Sequence, residues 1–200
     1  MTNVRAYTLT ECEQSMGEEA LDVFLQSFSC PLNLEIERFL KERARHSMRM
    51  SSSMTYLVWN EERHELLGYF TLVAKAYSVV GKMLSSKNRR LVERFAEIDE
   101  AGVFTAAVYL IAQLGKNFAL PECHRISGGD LLSLALEKFL SVKSIIGGKL
   151  VMVERESDRP KLLDFYKKNG FKSWTTRVNA KDGVAYDQMF TVLSDIKETA

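Results

Sequence analysis

Two hydrophobic periods succeed each other in the middle of the chain. From Ala106 to Leu114, Val108, Tyr109, Leu110 and Ile111 stand almost unbroken, which predicts a strand buried on both faces. After an open loop, Leu131, Leu132, Ala135, Leu136, Phe139 and Leu140 recur at three- and four-residue spacing. That stripe predicts a helix, opened by Ser127, Gly128, Gly129 and Asp130. Gly147-Gly148 then turns the chain into a short strand, Lys149 to Glu154. Strand, helix and strand in this order predict a parallel pair with a right-handed crossover.

The flanking segments follow the same logic. Tyr7 to Thr10 reads as a short first strand, and Glu18 to Phe28 as a helix with Ala20, Leu21, Phe24, Leu25 and Phe28 on one face. After the break at Pro31, Asn33 caps a second helix. Its Ile36, Phe39, Leu40 and Ala44 are expected inward, and Glu37, Lys41, Arg43 and Arg45 outward. Met54 to Trp59 and Leu66 to Val73 predict an antiparallel hairpin across a charged loop, the second strand extending as far as Ser78. Gly68 inside it signals a bulge or a close backbone approach. Asn88 to Glu97 predicts a surface helix. Ser157 or Asp158 is expected to cap a short helix with Pro160 near its first position and Gly170 at its stop. Leu162 and Tyr166 share its inward side. Phe171 to Val178 and Tyr186 to Leu193 close the chain as antiparallel strands around Lys181-Asp182-Gly183.

Composition narrows the classes of partner. The 200 residues hold 27 Lys and Arg against 26 Asp and Glu, a formal charge of +1, so no global field recruits a polyanion. The densest cationic stretch is Lys87, Arg89, Arg90 and Arg94. A solvated helical face is its plain reading, and a phosphate-bearing partner its sharper one. No apolar run approaches the ~20 residues that span a bilayer, and the first residues lack a signal peptide's apolar core. Cys12, Cys30 and Cys123 form no Cys-x-x-Cys pair, which fits a reducing cytosol and argues against a disulfide framework. His124 beside Cys123 has no second ligand at metal-binding spacing, so no metal is expected. With three prolines and no linker composition, residues 1–200 read as one domain.

The loop before the central helix is neither the dinucleotide fingerprint nor a P-loop. It runs Arg125-Ile126-Ser127-Gly128-Gly129-Asp130, followed by Leu131-Leu132, and a later segment carries Phe165, Tyr166, Gly170 and Phe171. With these two motifs the chain resembles the GNAT superfamily of N-acetyltransferases over roughly Met54 to Leu193. The family's pyrophosphate loop is commonly Gln/Arg-x-x-Gly-x-Gly/Ala, so Asp130 is a departure. Its late signature, Phe-Tyr-x-x-x-Gly-Phe, is complete. The resemblance implies a single-domain α/β fold: a GNAT-like mixed sheet of about seven strands flanked by helices, with a central parallel strand pair splayed apart. It also implies acetyl-CoA as the acetyl donor and direct attack by a primary amine, without an acetyl-enzyme.

The same resemblance assigns roles. Main-chain N–H groups from Arg125 through Ile126, Ser127, Gly128, Gly129 and Asp130 to Leu131 would hold the pyrophosphate. Those of Leu110, Ile111, Ala112 and Gln113 would meet the developing oxyanion, and Tyr166 would be the general acid. Ser127 and Asp130 also read as a capping pair, which would consume donors that a phosphate needs. For the base, Glu154 and Glu156 are both available. Tyr69, Thr71 and Lys75 fall on the strand that carries substrate contacts in the family, although Tyr69 and Tyr77 read more simply as ordinary strand aromatics.

The segment from Phe39 to Met50 and the Gly68–Leu72 strand further resemble a bacterial branch containing toxins that acetylate aminoacyl-tRNA. The acceptor implied is a small-molecule or macromolecular amine. The near-neutral charge makes tRNA the less favoured of these, and a non-catalytic coenzyme A-binding regulatory module is the alternative. A cytoplasmic location follows, with no membrane partner and with a homodimer left open.

Overall fold

Two apolar cores, each assembled from distant stretches of chain, organise the computed structural model, which describes residues 3–180 and 183–193. Its eight strands hydrogen-bond in the order β1-β2-β3-β5-β6-β8-β7, with β4 on β5. They are β1 (Val4–Thr8), β2 (Met54–Asn60), β3 (Glu65–Val80), β4 (Ala96–Ile98), β5 (Val103–Lys116), β6 (Leu150–Glu156), β7 (Lys172–Val178) and β8 (Ala185–Val192). The chain divides into two units. One comprises the residues up to Val73 plus Ala112–Glu137, and the other Ala74–Ile111 plus the residues from Lys138 onward.

In the first unit, β1 stops at Thr8, two residues earlier than expected, because Thr8 caps a helix. Its Oγ1 accepts from the Glu11 N–H at 3.1 Å, and Glu11 Oε2 accepts from the Thr8 N–H at 2.6 Å. The capped helix, α1 (Leu9–Met16), buries only Leu9 and Cys12, too few for its period to show in the sequence. Gly17, at φ +83°, separates it from α2 (Glu18–Ser27). The Asn33 side chain accepts from the Glu35 N–H at 3.0 Å, as its position predicted, and opens α3 (Leu34–Arg38). A π-helical turn, Phe39–Arg43, leads into α4 (Ala44–Arg49). Arg45 does not face outward: its side chain is 19% exposed and pairs with Glu13, Glu18 and Asp22.

The core here contains Leu9, Leu21, Leu25, Phe28, Leu40, Leu57 and Tyr69. Burying each large apolar side chain contributes roughly 1.5–3 kcal/mol. Both sequence signals at Gly68 are realised. The β2–β3 register slips between Val58 and Trp59 opposite it, and a Cβ on Gly68 would come within 2.5 Å of the Gly115 carbonyl oxygen. Tyr69 and Thr71 are fully buried, the first donating to the Ile36 carbonyl at 2.6 Å and the second bonded to Thr55 at 2.9 Å. Neither offers a surface to a substrate.

In the second unit, a short helix, α5 (Ser86–Val92), ends before β4, so the expected helix to Glu97 is shorter and an eighth strand appears. The β5–β6 pair is parallel, in register from Val108↔Leu150 to Ile111↔Val153. Within β5, Val108, Tyr109 and Ile111 are buried while Thr105, Ala107 and Ala112 are exposed. Two-sided burial is thus confined to the part of the strand that β6 covers. The central helix, α6, spans Gly128–Ile146, and α7 spans Pro160–Lys168. Neither Ser157 nor Asp158 caps α7. The N-cap is Arg159 without a side-chain bond, and Ser157 instead donates to Asp187 at 2.8 Å. Pro160 takes the first turn and Gly170, at φ +84°, follows the last. Strands β7 and β8 are antiparallel, as expected. Gly183 has φ +71°, while Lys181 and Asp182 of the expected turn lie outside the described residues. The second core gathers Phe104, Val108, Leu150, Met152, Trp174 and Phe190. Among the described residues, no helix is long and apolar enough to cross a membrane.

Candidate active site

The approach to α6 is built by one asparagine and one arginine. Asn117, 2% exposed, uses both ends of its amide. Its Nδ2 donates to the Leu66 carbonyl at 2.9 Å, and its Oδ1 accepts from the N–H groups of Ser29 and Ala119. The Arg125 guanidinium donates to the Leu120 and Phe118 carbonyls at 2.8 and 3.0 Å and lies over the Phe118 ring. Arg125 therefore shapes the loop with donors that could otherwise be given to a phosphate. Sequence reasoning missed Asn117, whose signal is only a polar residue directly after a long apolar strand.

At the start of α6, the Asp130 N–H donates to Ser127 Oγ at 3.0 Å, and the Ser127 hydroxyl donates to the Asp130 carboxylate at 2.6 Å. This is the expected cap in altered form, because the carboxylate takes a hydroxyl rather than the Ser127 N–H. The Leu131 N–H already bonds the Ser127 carbonyl at 3.1 Å. The N–H groups of Gly128 and Gly129 find no acceptor among the described residues. A Cβ placed on Gly129 would meet only Ser127 Oγ, at 3.8 Å. Nothing inside the protein requires glycine there. A helix start with free donors and open space suits an anion.

A second group of residues lies on β6, α7 and β8. The parallel register ends at Ile111↔Val153, although β5 runs on to Lys116 and β6 to Glu156. Leu110 and Ile111 fall inside this register, and Ala112 and Gln113 beyond its last pair. Past that point Arg155, with a side chain 3% exposed, pairs with Asp187 and donates to the carbonyls of Glu156 and Arg159 at 2.9 and 3.0 Å. One buried guanidinium thereby fixes the connection from β6 into α7. Burial raises the Asp187 pKa, but bonds from Ser157 and Thr176 and the Arg155 charge outweigh it and hold it below the usual range.

Tyr166 sits on α7 with the edges of Phe165 and Phe171 at ring-centroid distances of 5.1 and 5.5 Å. It is 8% exposed, and burial pushes its pKa up to about 12. Its hydroxyl has no protein partner among the described residues, so it does not tether its helix. Neither carboxylate considered as base is free. Glu154 accepts two bonds from Arg177 at 2.9 and 2.8 Å and one from Gln188 at 2.7 Å. Burial raises its pKa, but those bonds and the Arg177 and Lys75 charges bring it below the ordinary carboxylate value. Glu156 is paired with Arg159. His124 pairs with Glu65 at 2.8 Å, and Cys123 is an exposed free thiol.

No family model matches the sequence, and no curated protein does. Solved structures match almost end to end. A tyrosine-to-phenylalanine mutant of KacT has 15% identity and a TM-score of 0.65 over 97% of each chain. AtaT complexed with acetyl-methionyl-tRNAfMet has 18% identity and a TM-score of 0.65 over 96% of each. AtaTR bound with AcCoA has 18% identity and a TM-score of 0.60 over 98% of this chain and 96% of that one. The chain has the GNAT fold. Its mixed sheet holds the parallel pair β5–β6, and along the chain α5 and β4 lie between β3 and β5.

A third cluster was visible in the sequence only as a charge run. Lys87, Arg90 and Arg94 line a hollow of about 650 Å³ together with Lys172 of β7, and Asn88 ties α5 to the Ser173 carbonyl at 2.7 Å. No carboxylate lines it, and none of the four cations is in an ion pair among the described residues. Arg89, from the same run, is taken by Glu93.

Proposed function

We propose that this protein transfers an acetyl group from acetyl-coenzyme A, a substrate here, to a primary amine. The observation that carries the reading is the start of α6, where Gly128 and Gly129 offer unused N–H groups at the position of the family's pyrophosphate loop. Arg125, Ile126, Ser127, Asp130 and Leu131 set that turn. The main chain of Leu110, Ile111, Ala112 and Gln113 supplies donors to the thioester oxygen. The amine nitrogen attacks the thioester carbonyl carbon and the carbon–sulfur bond breaks. The Tyr166 hydroxyl gives its proton to the departing sulfur, and the proton shed by the amine restores the phenol through water. A phenol with a pKa near 12 remains protonated at neutral pH, as an acid must. The pairing of Glu154 and Glu156 supports water, rather than either carboxylate, as the first proton acceptor.

The favoured acceptor is the amino group of an aminoacyl-tRNA. Two observations support this: the similar AtaT was solved with acetyl-methionyl-tRNAfMet, and the four cations of the α5 hollow suit phosphates. A net charge of +1 conceals that face, because the paired cations cancel elsewhere. Acetyl-coenzyme A binding by calorimetry, followed by thiol release with small amines and with charged tRNA, tests the reading. Tyr166→Phe is expected to lose roughly 10²–10⁴-fold in turnover with donor affinity unchanged. Gly129→Leu is expected to weaken donor binding. Absent donor binding defeats the proposal, and binding without release for any acceptor leaves the regulatory module.

A further inference from the structure

We propose that Arg155 is the positioning residue for the Tyr166 hydroxyl. The proposal deepens the acetyl-transfer reading and rests on it for what that hydroxyl does. Tyr166 has no tether of its own. The ring edges of Phe165 and Phe171 confine it, but no hydrogen bond to a described residue aims its oxygen. Where that oxygen sits therefore depends on how α7 is seated. The helix supplies little of this itself: it is nine residues long, and its N-cap, Arg159, makes no side-chain cap bond.

The seat comes from Arg155, near the end of β6. Its Nη1 donates to the carbonyls of Glu156 and Arg159 at 2.9 and 3.0 Å, and its Nη2 pairs with Asp187 of β8. The Arg159 carbonyl also accepts from the Leu162 N–H at 3.1 Å, in the first turn of α7. Asp187 is fixed in turn by the hydroxyls of Ser157 and Thr176, both at 2.8 Å. One buried fork thus joins the first turn of α7 to β6 and β8. The Nε of the same guanidinium finds no acceptor among the described residues. A buried ion pair is often no more stable than apolar side chains of similar volume, so geometry, rather than net stability, is what this one provides. Lysine cannot reproduce it, because an ammonium is a single point of charge where the planar fork serves carbonyls and carboxylate from separate nitrogens. Tyr166 lies seven residues past Arg159, about 10 Å along the axis at ~1.5 Å per residue. A tilt of about 6° at the first turn moves the phenol about 1 Å, a displacement that can cost on the order of 100-fold in turnover.

The test compares Arg155→Lys, Tyr166→Phe and the double variant in thiol release with methionyl-tRNA, beside acetyl-coenzyme A affinity by calorimetry. Arg155→Lys is expected to lower kcat roughly 10–100-fold, with donor affinity and the KM for tRNA within about twofold. In the Tyr166→Phe background the same change is expected to cost less than about twofold, because the group it positions is gone. No loss, an equal loss in both backgrounds, or a donor affinity that falls as far as kcat overturns the proposal. Should Arg155→Lys fail to fold, Asp187→Asn keeps an acceptor for the guanidinium while removing the charge, and a smaller loss of the same pattern is expected; an unchanged kcat there overturns the proposal. A second readout needs no turnover. In carbon-13 NMR of ring-labelled tyrosine, Arg155→Lys is expected to move the Tyr166 signal, while Tyr7, Tyr56 and Tyr69 of the first unit keep theirs. An unmoved Tyr166 signal overturns the proposal. The acetyl-transfer reading fails separately, through absent thiol release or through full turnover in Tyr166→Phe with Arg155 intact.

Discussion

Two arginine-rich helices look alike in the sequence and do opposite work. Around α4, Arg43, Arg45 and Arg49 each meet carboxylates: Glu35 for the first, Glu13, Glu18 and Asp22 for Arg45, and Glu13 and Glu18 for Arg49. Around α5, Lys87, Arg90 and Arg94 meet none, and β7 adds Lys172 to the same hollow. The first set spends its charge inside the fold. The second keeps its charge available to a ligand. What a cation does is decided by the residues that the fold brings to it, and a run of basic letters does not carry that information.

The contrast can be broken most directly at α5. Exchanging both Arg90→Glu and Arg94→Glu is expected to weaken tRNA binding on the order of 100-fold, measured by filter binding at fixed salt, because two phosphate partners become two repulsions. Urea unfolding of that variant should hardly move. Unchanged affinity would return the α5 face to the status of a solvated surface.

The reverse holds at α4. Removing Arg45 leaves Asp22 without this partner and Glu13 and Glu18 with Arg49 alone, and Arg45→Ala is expected to cost about 1 kcal/mol in urea unfolding. Its tRNA affinity should be unaltered. A stability loss from the α5 variant larger than from Arg45→Ala would invert the comparison.

Acid should expose the paired carboxylates of the second unit. Glu154 and Asp187 are both held below their ordinary pKa, so their stabilisation is present above the unfolded carboxylate range and is lost as pH falls through the folded values. Urea midpoints are expected to decline below about pH 4. Glu154→Gln should flatten that decline, and an equally steep descent in the variant would remove Glu154 from the account. The smallest effect expected is that of Lys172→Ala: a salt dependence of tRNA binding shallower by about one unit of slope, with stability within about 0.5 kcal/mol.

Much of the fold was legible because it depends on local period. The α6 stripe, the β2–β3 hairpin, the Asn33 cap, the bulge at Gly68 and the stop at Gly170 follow from residues close in sequence. The misses share a cause. Helix α1 is held by a cap and two buried side chains, β4 is three residues long, and α7 lacks the side-chain cap expected of Ser157 because Asp187, 30 residues away, takes its hydroxyl. Of the candidate site, Gly128, Gly129 and Tyr166 could be picked out from motif letters. The engagement of Arg125 by its own loop and of Glu154 by Arg177 could not.

The order of elements, the parallel unit and the glycine-opened helix were set by the linear pattern, because periodicity and capping act over a few residues. Which charges are spent and which remain was decided only in three dimensions. An ion pair such as Arg45–Asp22 or Arg155–Asp187 joins residues 23 and 32 positions apart, and desolvation of the Tyr166 phenol comes from whatever packs around it. Coulomb attraction and burial depend on distance through space, and the linear chain does not state that distance.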